Sequence, residues 1–151
     1  MIRIYNQQNK EKVSEHFNSE EFECGCCRYA IIDTTLVFAL EQFRAWNGGK
    51  RLIIKSGYRC PKHNDMIGGG VLSRHMMGYA ADVQWDGCSE QLSNLEWRKA
   101  LKDKAEDMGI FGLGFGPVFL HIDVDANRKR LKTWEYFDGK ATEPEYAAET
   151  N

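Results

Sequence analysis

The sequence has no strongly basic stripe, no long apolar run and no internal repeat. Its 20 lysine and arginine residues are outnumbered by 22 aspartate and glutamate residues, which gives a formal net charge of −2. A nucleic-acid partner is therefore not expected, because proteins that bind nucleic acid carry clustered basic residues. No run approaches the roughly 20 apolar residues that span a membrane, so no membrane partner is expected either. The opening residues, MIRIYNQQNKEK, lack an apolar h-region, which predicts synthesis in the cytoplasm without a signal peptide.

The length and composition are those of one ordinary globular domain. The chain has 151 residues, of which 42% are hydrophobic and 28% are charged. A chain of this length is expected to fold as a single domain and to bury roughly two thirds of its unfolded surface. We expect a peripheral N-terminal segment at 1–13, a folded domain at 14–138 and a polar C-terminal tail at 139–151.

The spacing of hydrophobic residues predicts an α+β fold. Asp33 precedes a helix that runs to Trp46. Ser93 and Glu96 form a capping-box pattern that opens a second helix, which ends near residue 108. Strands are predicted at 51–56, which has the pattern of a buried strand, and at 79–85, 118–124 and 131–137. The expected architecture is a mainly antiparallel sheet with helices on one side and an open face on the other.

Two stretches carry the residues that suit a metal site. The first, residues 56–82, reads SGYRCPKHNDMIGGGVLSRHMMGYAAD and contains His75 and Asp82, and the second, FLHIDVD, contains His121. Two imidazoles and one carboxylate form a ligand set that suits zinc. Three protein ligands leave a fourth position for water, as in catalytic rather than structural zinc sites. A phosphate-binding loop at the three consecutive glycines is excluded, because no Gly-Lys-Ser/Thr follows them.

The order and spacing of these motifs resemble a known family. The motifs are S-G-Y-R at 56–59, S-x-H-x-x-G-x-A-x-D at 73–82 and H-x-D at 121–123. In this order they resemble the zinc D-Ala-D-Ala carboxypeptidase family of peptidoglycan peptidases, whose superfamily also holds lysostaphin-type peptidases and the hedgehog signalling domain. The resemblance covers roughly residues 14 to 128. It implies the same α+β fold, with one catalytic zinc ion on the open face of the sheet.

The resemblance also implies roles for two further side chains. It places Arg59 facing the zinc ion, where a guanidinium fork would hold substrate or the developing oxyanion. The alternative for Arg59 is a structural ion pair with a nearby carboxylate. Ser73 either hydrogen-bonds the substrate or caps its own loop.

The general base is the least certain part of the predicted site. Hydrolysis of a peptide at zinc needs a group that takes the water proton and passes it to the leaving amine. Several relatives have a carboxylate three residues before the last histidine, or a second histidine two residues before it, where this chain has Val118 and Phe119. Asp123 lies two residues after His121 and on the same strand face. It is therefore either the catalytic base or the residue that orients His121.

The five cysteines leave three interpretations open. Cys24, Cys26 and Cys27 cluster, whereas Cys60 and Cys88 stand apart. All of them are reduced thiols, or Cys24 or Cys26 forms a bridge to Cys60. The third interpretation is a second, structural metal near Cys24 and Cys27, although no partner pair follows in the sequence.

Together these features predict a zinc metallopeptidase that cuts next to a D-amino acid in the peptidoglycan stem, as a carboxypeptidase or an endopeptidase. The substrate lies outside the cytoplasm, so a phage or prophage endolysin, or a virion-borne wall enzyme, would explain the missing export signal. The alternative is a catalytically silent zinc-containing module that binds the cell wall or forms part of a virion. We expect a monomer whose partner is the peptidoglycan peptide.

Overall fold

The computed structural model describes residues 1–137 and 140–141 of the chain. Within these residues the strands are β1 Ile2–Tyr5, β2 Ala30–Asp33, β3 Ile53–Ser56, β4 Ala80–Gln84, β5 Gly112–Phe115, β6 Leu120–Asp123, β7 Lys132–Phe137 and β8 Lys140–Ala141. The helices are α1 Thr34–Trp46, α2 Pro61–Met66, α3 Cys88–Ser93 and α4 Leu95–Ala105. Short 3-10 turns occupy Ser19–Phe22, Arg74–Met77 and Glu106–Met108.

Six of the described strands form one sheet in the order β3-β4-β6-β5-β7-β8, and β1 pairs with β2 in a separate ribbon. Neighbouring strands run antiparallel in both, except that β5 and β7 run parallel. The predicted single-domain α+β fold with a mainly antiparallel sheet is confirmed. The central strands β4, β6 and β5 connect regions that are far apart in the sequence, and these strands position the site.

Alternation along the central strands separates a core face from a site face. Ile122 of β6 is fully buried and belongs to the same hydrophobic core as Phe43 of α1 and Leu101 of α4. His121 and Asp123 flank Ile122 and project to the opposite face, because successive strand residues alternate. Helices α1, α3 and α4 therefore pack on one face of the sheet, and the side chains of the candidate site project from the other.

Helix α1 begins and ends where the sequence predicts. The Asp33 side chain accepts a hydrogen bond from the backbone N–H of Thr35 at 2.8 Å, which satisfies one of the free donors of the first turn. Trp46 is the last helical residue. Leu36, Leu40 and Phe43 are buried at helical spacing, so this helix supplies core and no chemistry.

The second predicted helix begins at a different cap. The side chain of Asn94, not that of Ser93, accepts hydrogen bonds from the backbone N–H groups of Glu96 and Trp97. The Ser93 hydroxyl instead donates to the carbonyl of Glu90 in α3, a helix that the capping-box pattern does not predict. Asparagine and serine cap about equally well, so spacing alone could not choose between these adjacent residues.

The prediction of a buried strand at 51–56 is wrong about burial. β3 is an edge strand that pairs only with β4 among the described strands, and Ile53 is 48% exposed. A short apolar run reads as buried in a sequence. Which strand lies at an edge depends on pairings that such a run does not encode.

The predictions for the two ends of the chain compare differently with the structure. Residues 2–5 of the segment expected to be peripheral form β1, which pairs with β2, and the sequence pattern predicts neither strand. Most of the predicted tail at 139–151 lies outside the described residues, and the domain limits at 14 and 138 stay a prediction. None of the described helices has the length and apolar character needed to cross a membrane.

Candidate metal centre

Two central strands place Asp82 against His121. These residues are direct partners in the antiparallel register of β4 and β6, and directly opposite residues project to the same face of a sheet. Asp82 Oδ1 lies 3.0 Å from His121 Nδ1, although the residues are 39 positions apart in the sequence. Strand pairing therefore creates the contact.

His75 reaches this pair from the turn that precedes β4. Its Nε2 atom lies 3.2 Å from His121 Nδ1 and 3.3 Å from Asp82 Oδ1. The turn ends at Gly78, which has a φ of +75°. A Cβ atom at Gly78 would lie 2.5 Å from the carbonyl oxygen of Ile31. Glycine is therefore required here by both conformation and space, and it lets the chain pass directly from His75 into β4.

The outer nitrogen of each imidazole binds an acceptor, and this fixes the ring tautomer. His75 Nδ1 donates to the carbonyl oxygen of Gly57 at 2.7 Å. His121 Nε2 donates to Asp123 Oδ2 at 3.1 Å. Both outer nitrogens carry hydrogen, so in the neutral rings the lone pairs of His75 Nε2 and His121 Nδ1 point to the centre. Histidines that bind metals are typically held in this way.

The three inner atoms are spaced as ligands of one ion. Zinc bonds of about 2.0–2.1 Å in a tetrahedron place neighbouring ligand atoms about 3.4 Å apart. The observed separations are 3.0, 3.2 and 3.3 Å. Two lone pairs and a carboxylate oxygen this close require a cation or a proton between them. The residues therefore fit zinc, and the Asp82 side chain, which is 19% exposed, marks the side open to solvent.

Burial and mutual contacts set the charges of this group. Burial would raise the pKa of Asp82, but the neighbouring His75 and His121 outweigh it and hold that pKa well below its usual range. Burial lowers the pKa of His75 and so favours its neutral form. Burial would also lower the pKa of His121, but hydrogen bonds with Asp123 and Asp82 outweigh it and raise that pKa. A metal ion that binds at His121 Nδ1 would compete with a proton for that nitrogen.

Asp123 lies behind His121 rather than beside the centre. Its side chain is 0% exposed and contacts the outer nitrogen of His121. Arg128 Nη2 lies 3.4 Å from the same carboxylate oxygen, and the backbone N–H of Asp125 donates to the other. A general base must come within reach of the water that it deprotonates. This position favours the orienting role of Asp123 over the base role.

Arg59 and Ser73 lie on the two segments that hold His75. The backbone N–H of Arg59 donates to the carbonyl oxygen of His75 at 3.2 Å. Burial first, and the Arg59 charge to a smaller degree, lower the pKa of His75. Ser73 is buried and immediately precedes the Arg74–Met77 turn, to which its side chain makes no capping hydrogen bond within the described residues.

Two glycines of β5 make room for the centre, a role that sequence analysis missed. Gly112 and Gly114 stand directly opposite Asp123 and His121. A Cβ atom on Gly112 would lie 2.1 Å from Asp123 Oδ2, and one on Gly114 would lie 2.5 Å from Nε1 of Trp134. The Trp134 ring crosses Gly114 to lie 5.0 Å, between centroids, from the His121 ring. In the sequence, the glycines at alternate positions of this strand could have indicated that the space above one face of β5 is occupied by other side chains.

A buried ion pair links the two ends of the site. Arg74 precedes His75, and its Nε atom donates to Asp125 Oδ2 at 2.9 Å. Asp125 in turn follows Asp123 by two residues, and both carboxylates are buried. The turn that carries His75 is therefore tied to the end of β6, which carries His121.

Comparison with known proteins agrees with this arrangement. The family Peptidase M15 matches residues 12–124, which is most of the chain and includes His75, Asp82 and His121. No curated protein matches the chain. The matched range also contains every strand that positions the three side chains. On this evidence the chain belongs to the Peptidase M15 family of zinc peptidases, as the resemblance in its sequence motifs implies.

Proposed function

We propose that the chain is a zinc peptidase that hydrolyses a peptide bond next to a D-amino acid in peptidoglycan stem peptides. The observation that carries the proposal is the convergence of His75 Nε2, His121 Nδ1 and Asp82 Oδ1 to within 3.3 Å of one another. Membership of the Peptidase M15 family supports the reaction class. The peptidoglycan substrate rests on the resemblance of the motifs to D-Ala-D-Ala carboxypeptidases.

His75, Asp82 and His121 are the residues that would hold the ion. Zinc bound there would supply a Lewis acid that lowers the pKa of water toward about 7 and polarises a peptide carbonyl. The protein orients the two imidazoles through the Gly57 carbonyl and the Asp123 carboxylate. Because Asp82 is the most exposed of the three, substrate is expected to approach from its side.

Arg59 is the proposed substrate-binding and oxyanion-binding residue. Its backbone N–H donates a hydrogen bond to the carbonyl of His75, which keeps residue 59 next to that proposed ligand. A guanidinium group can bind the C-terminal carboxylate of a D-amino acid, or the oxygen that gains charge as water adds to the carbonyl carbon. Ser73 is proposed as a second substrate contact, because its hydroxyl does not cap the adjacent Arg74–Met77 turn.

The overall reaction is ordinary peptide hydrolysis. A water oxygen adds to the carbonyl carbon, the C–N bond breaks, and a water proton ends on the leaving amine. A carboxypeptidase would release the terminal D-amino acid, whereas an endopeptidase would separate two longer peptides. In both cases Asp123 is proposed to orient His121 and to keep its Nδ1 lone pair available.

One observation favours the alternative of a silent zinc-containing wall-binding or virion module. Asp123, the carboxylate that the sequence offers as a base, contacts the far nitrogen of His121. Val118, where several relatives have a carboxylate, is 50% exposed and has no group that can accept a proton. This alternative predicts bound zinc and affinity for wall fragments without cleavage.

Muropeptide analysis separates the two functions. Purified protein is incubated with peptidoglycan and the stem peptides are analysed, with a chelated sample and His121→Ala as inactive controls. His16→Ala is the matched control, because His16 is a surface histidine bonded to Glu41. Shortened stem peptides are expected with the native protein and with His16→Ala. They are not expected with His121→Ala or in the chelated sample. Unchanged stems in every sample, with zinc and wall binding retained, would leave the silent module as the function.

We propose further that the protein acts at the bacterial cell wall as a monomer, after release by cell lysis or from a virion. The wall location follows from the proposed substrate. Gene neighbourhood tests the context, since lysis or tail genes should lie beside this gene. Light scattering tests the monomer, and a stable dimer in dilute solution would contradict it.

A further inference from the structure

Three cysteines from two distant segments meet beside the predicted active site. Cys24 and Cys27 lie in the loop between the Ser19–Phe22 turn and β2, and Cys60 immediately precedes α2. The three Sγ atoms all lie within 4.8 Å of one another. Tetrahedral thiolate ligands with zinc–sulfur bonds of about 2.3 Å would have sulfur atoms about 3.8 Å apart. The cluster is therefore close to the size that an ion needs.

Backbone N–H groups are directed at these sulfur atoms. The N–H of Cys60 donates to Cys24 Sγ at 3.4 Å, and the N–H of His63 donates to Cys60 Sγ at 3.4 Å. Such donors stabilise a thiolate, which is the form of cysteine that binds metals.

The Cys24–Cys27 loop is held in a strained turn. The N–H of Cys24 donates to the carbonyl of Tyr29 at 2.8 Å, and the N–H of Arg28 donates to that of Cys24 at 3.0 Å. Arg28 has a φ of +63° and is the only non-glycine residue with positive φ among the described residues. A side chain in this region is disfavoured and persists only where surrounding contacts impose it, often at a ligand site. The turn places Cys24 and Cys27, at C-x-x-C spacing, on the same side as Cys60.

We propose that Cys24, Cys27 and Cys60 hold a second zinc ion, which is structural and distinct from the centre at His75, Asp82 and His121. Two neighbouring residues are the candidates for a fourth ligand. The Cys26 thiol interacts with that of Cys60, and the His63 ring lies 3.5 Å from the position of a Cβ on Gly25. Four protein ligands would close the coordination sphere, as in structural zinc sites.

The ion would clamp the segment on which the active site depends. Cys60 directly follows Arg59, whose N–H binds the carbonyl of His75, and Gly57 three residues earlier accepts the hydrogen bond from His75 Nδ1. The N–H of Tyr58 also donates to the carbonyl of Phe22 at 2.9 Å. The clamp would thus join the 22–27 loop to the 57–60 segment and fix both the Arg59 backbone and the His75 ring.

Cobalt substitution of the full chain distinguishes the two sites. Cobalt(II) bound to thiolates gives a charge-transfer absorption in the near ultraviolet, and a centre made of imidazole and carboxylate has no sulfur to give one. We expect two equivalents of cobalt per chain together with this band. Cys27→Ser should remove the band and one equivalent, whereas His121→Ala should remove the other equivalent and keep the band.

Matched variants identify the ligands. Cys88→Ser is the control, because Cys88 is buried elsewhere and contacts the carbonyl of Val118, and it should keep both equivalents. If Cys26 is the fourth ligand, Cys26→Ser should weaken the charge-transfer band. If His63 is the fourth ligand, His63→Ala should weaken it instead. A native protein that binds one equivalent without the band would overturn the proposal. A disulfide found by mass spectrometry between two of these cysteines in freshly purified protein would do so too. The result for native protein stands even if Cys27→Ser fails to fold, and it does not depend on peptidase activity.

Discussion

At the level of single residues, the position of Asp123 bears on whether this carboxylate acts as a base or orients His121. A carboxylate two residues after a ligand shares the strand face of that ligand, so the sequence allows both a base and an orienting group. The structure places Asp123 on the outer nitrogen of His121, fully buried and in contact with Arg128. Burial would raise the pKa of Asp123, but hydrogen bonding to His121 and the nearby Arg128 charge outweigh it and lower that pKa.

Asp123→Asn should therefore weaken metal binding more than it changes the reaction. Removing an outer partner of a metal-bound histidine typically lowers metal affinity by about 10- to 100-fold. We expect such a loss in a zinc competition titration, with hydrolysis largely restored at saturating zinc. Asp103→Asn, which alters an exposed ion pair with Lys99 on α4, is the control. Unchanged zinc affinity with hydrolysis abolished at saturating zinc would instead identify Asp123 as the base.

Strand β5 shows how one element limits what its neighbours can carry. Its residues alternate between core residues such as Leu113 on one face and glycines on the site face. The Asp123 carboxylate and the Trp134 ring occupy the space above those glycines. The absence of side chains on this face of β5 is thus part of the site.

Gly112→Ala tests this role of β5. The added methyl group would lie 2.1 Å from Asp123 Oδ2, so the carboxylate must move away from His121 or the strand must shift. Overpacking of this kind costs about 1–3 kcal/mol, and we expect a loss of that size in chemical unfolding together with weaker zinc binding. Gly70→Ala is the matched control, because a Cβ there has no atom within 4 Å among the described residues. It should change stability by less than about 0.5 kcal/mol, and equal losses in both variants would refute the explanation.

Helix α1 gives a second prediction at this level, which concerns pH. Burial would raise the pKa of Asp33, but hydrogen bonds from the hydroxyl and backbone N–H of Thr35 outweigh it and lower that pKa in the folded state. The stabilisation that this carboxylate provides is therefore present above an unfolded-state pKa of about 3.9 and is lost as pH falls through the lower folded-state pKa. Asp33→Ala should cost about 1 kcal/mol at pH 7, and the cost should shrink below about pH 4.

Chemical unfolding at several pH values measures this effect. Asp33→Asn is the informative control, because asparagine keeps an N-cap oxygen but does not titrate. It should retain most of the stability at neutral pH and should lack the acid-dependent part. A cost for Asp33→Ala that stays constant down to pH 3 would show that the carboxylate charge contributes nothing to the cap.

Local patterns in the sequence predicted elements well when the deciding contacts were also local. The Asp33 cap and the end of α1 at Trp46 follow from neighbouring residues. The edge position of β3 and the β1–β2 ribbon depend on pairings between distant segments, which periodicity does not encode. The candidate ligand residues were predicted from their motifs, whereas their arrangement required the register of β4 and β6.

In the whole molecule, the hydrophobic core and the candidate metal site lie on opposite faces of one sheet. One face packs on α1 and α4 and forms the core, and the other carries His121, Asp123 and Asp82. Because the predicted ligands come from a turn and two strands, folding the domain is what assembles the centre. Zinc that binds only the folded chain should stabilise it by RT ln(1 + [Zn]/Kd).

Anomalous diffraction at the zinc edge, from crystals of the purified protein, tests the central claim most directly. The structure predicts a peak at about 2.0–2.2 Å from His75 Nε2, His121 Nδ1 and an oxygen of Asp82. Crystals in which His75, His121 and Asp82 point apart with no peak between them would contradict it. A peak bound to the outer nitrogens of the two rings would contradict it equally.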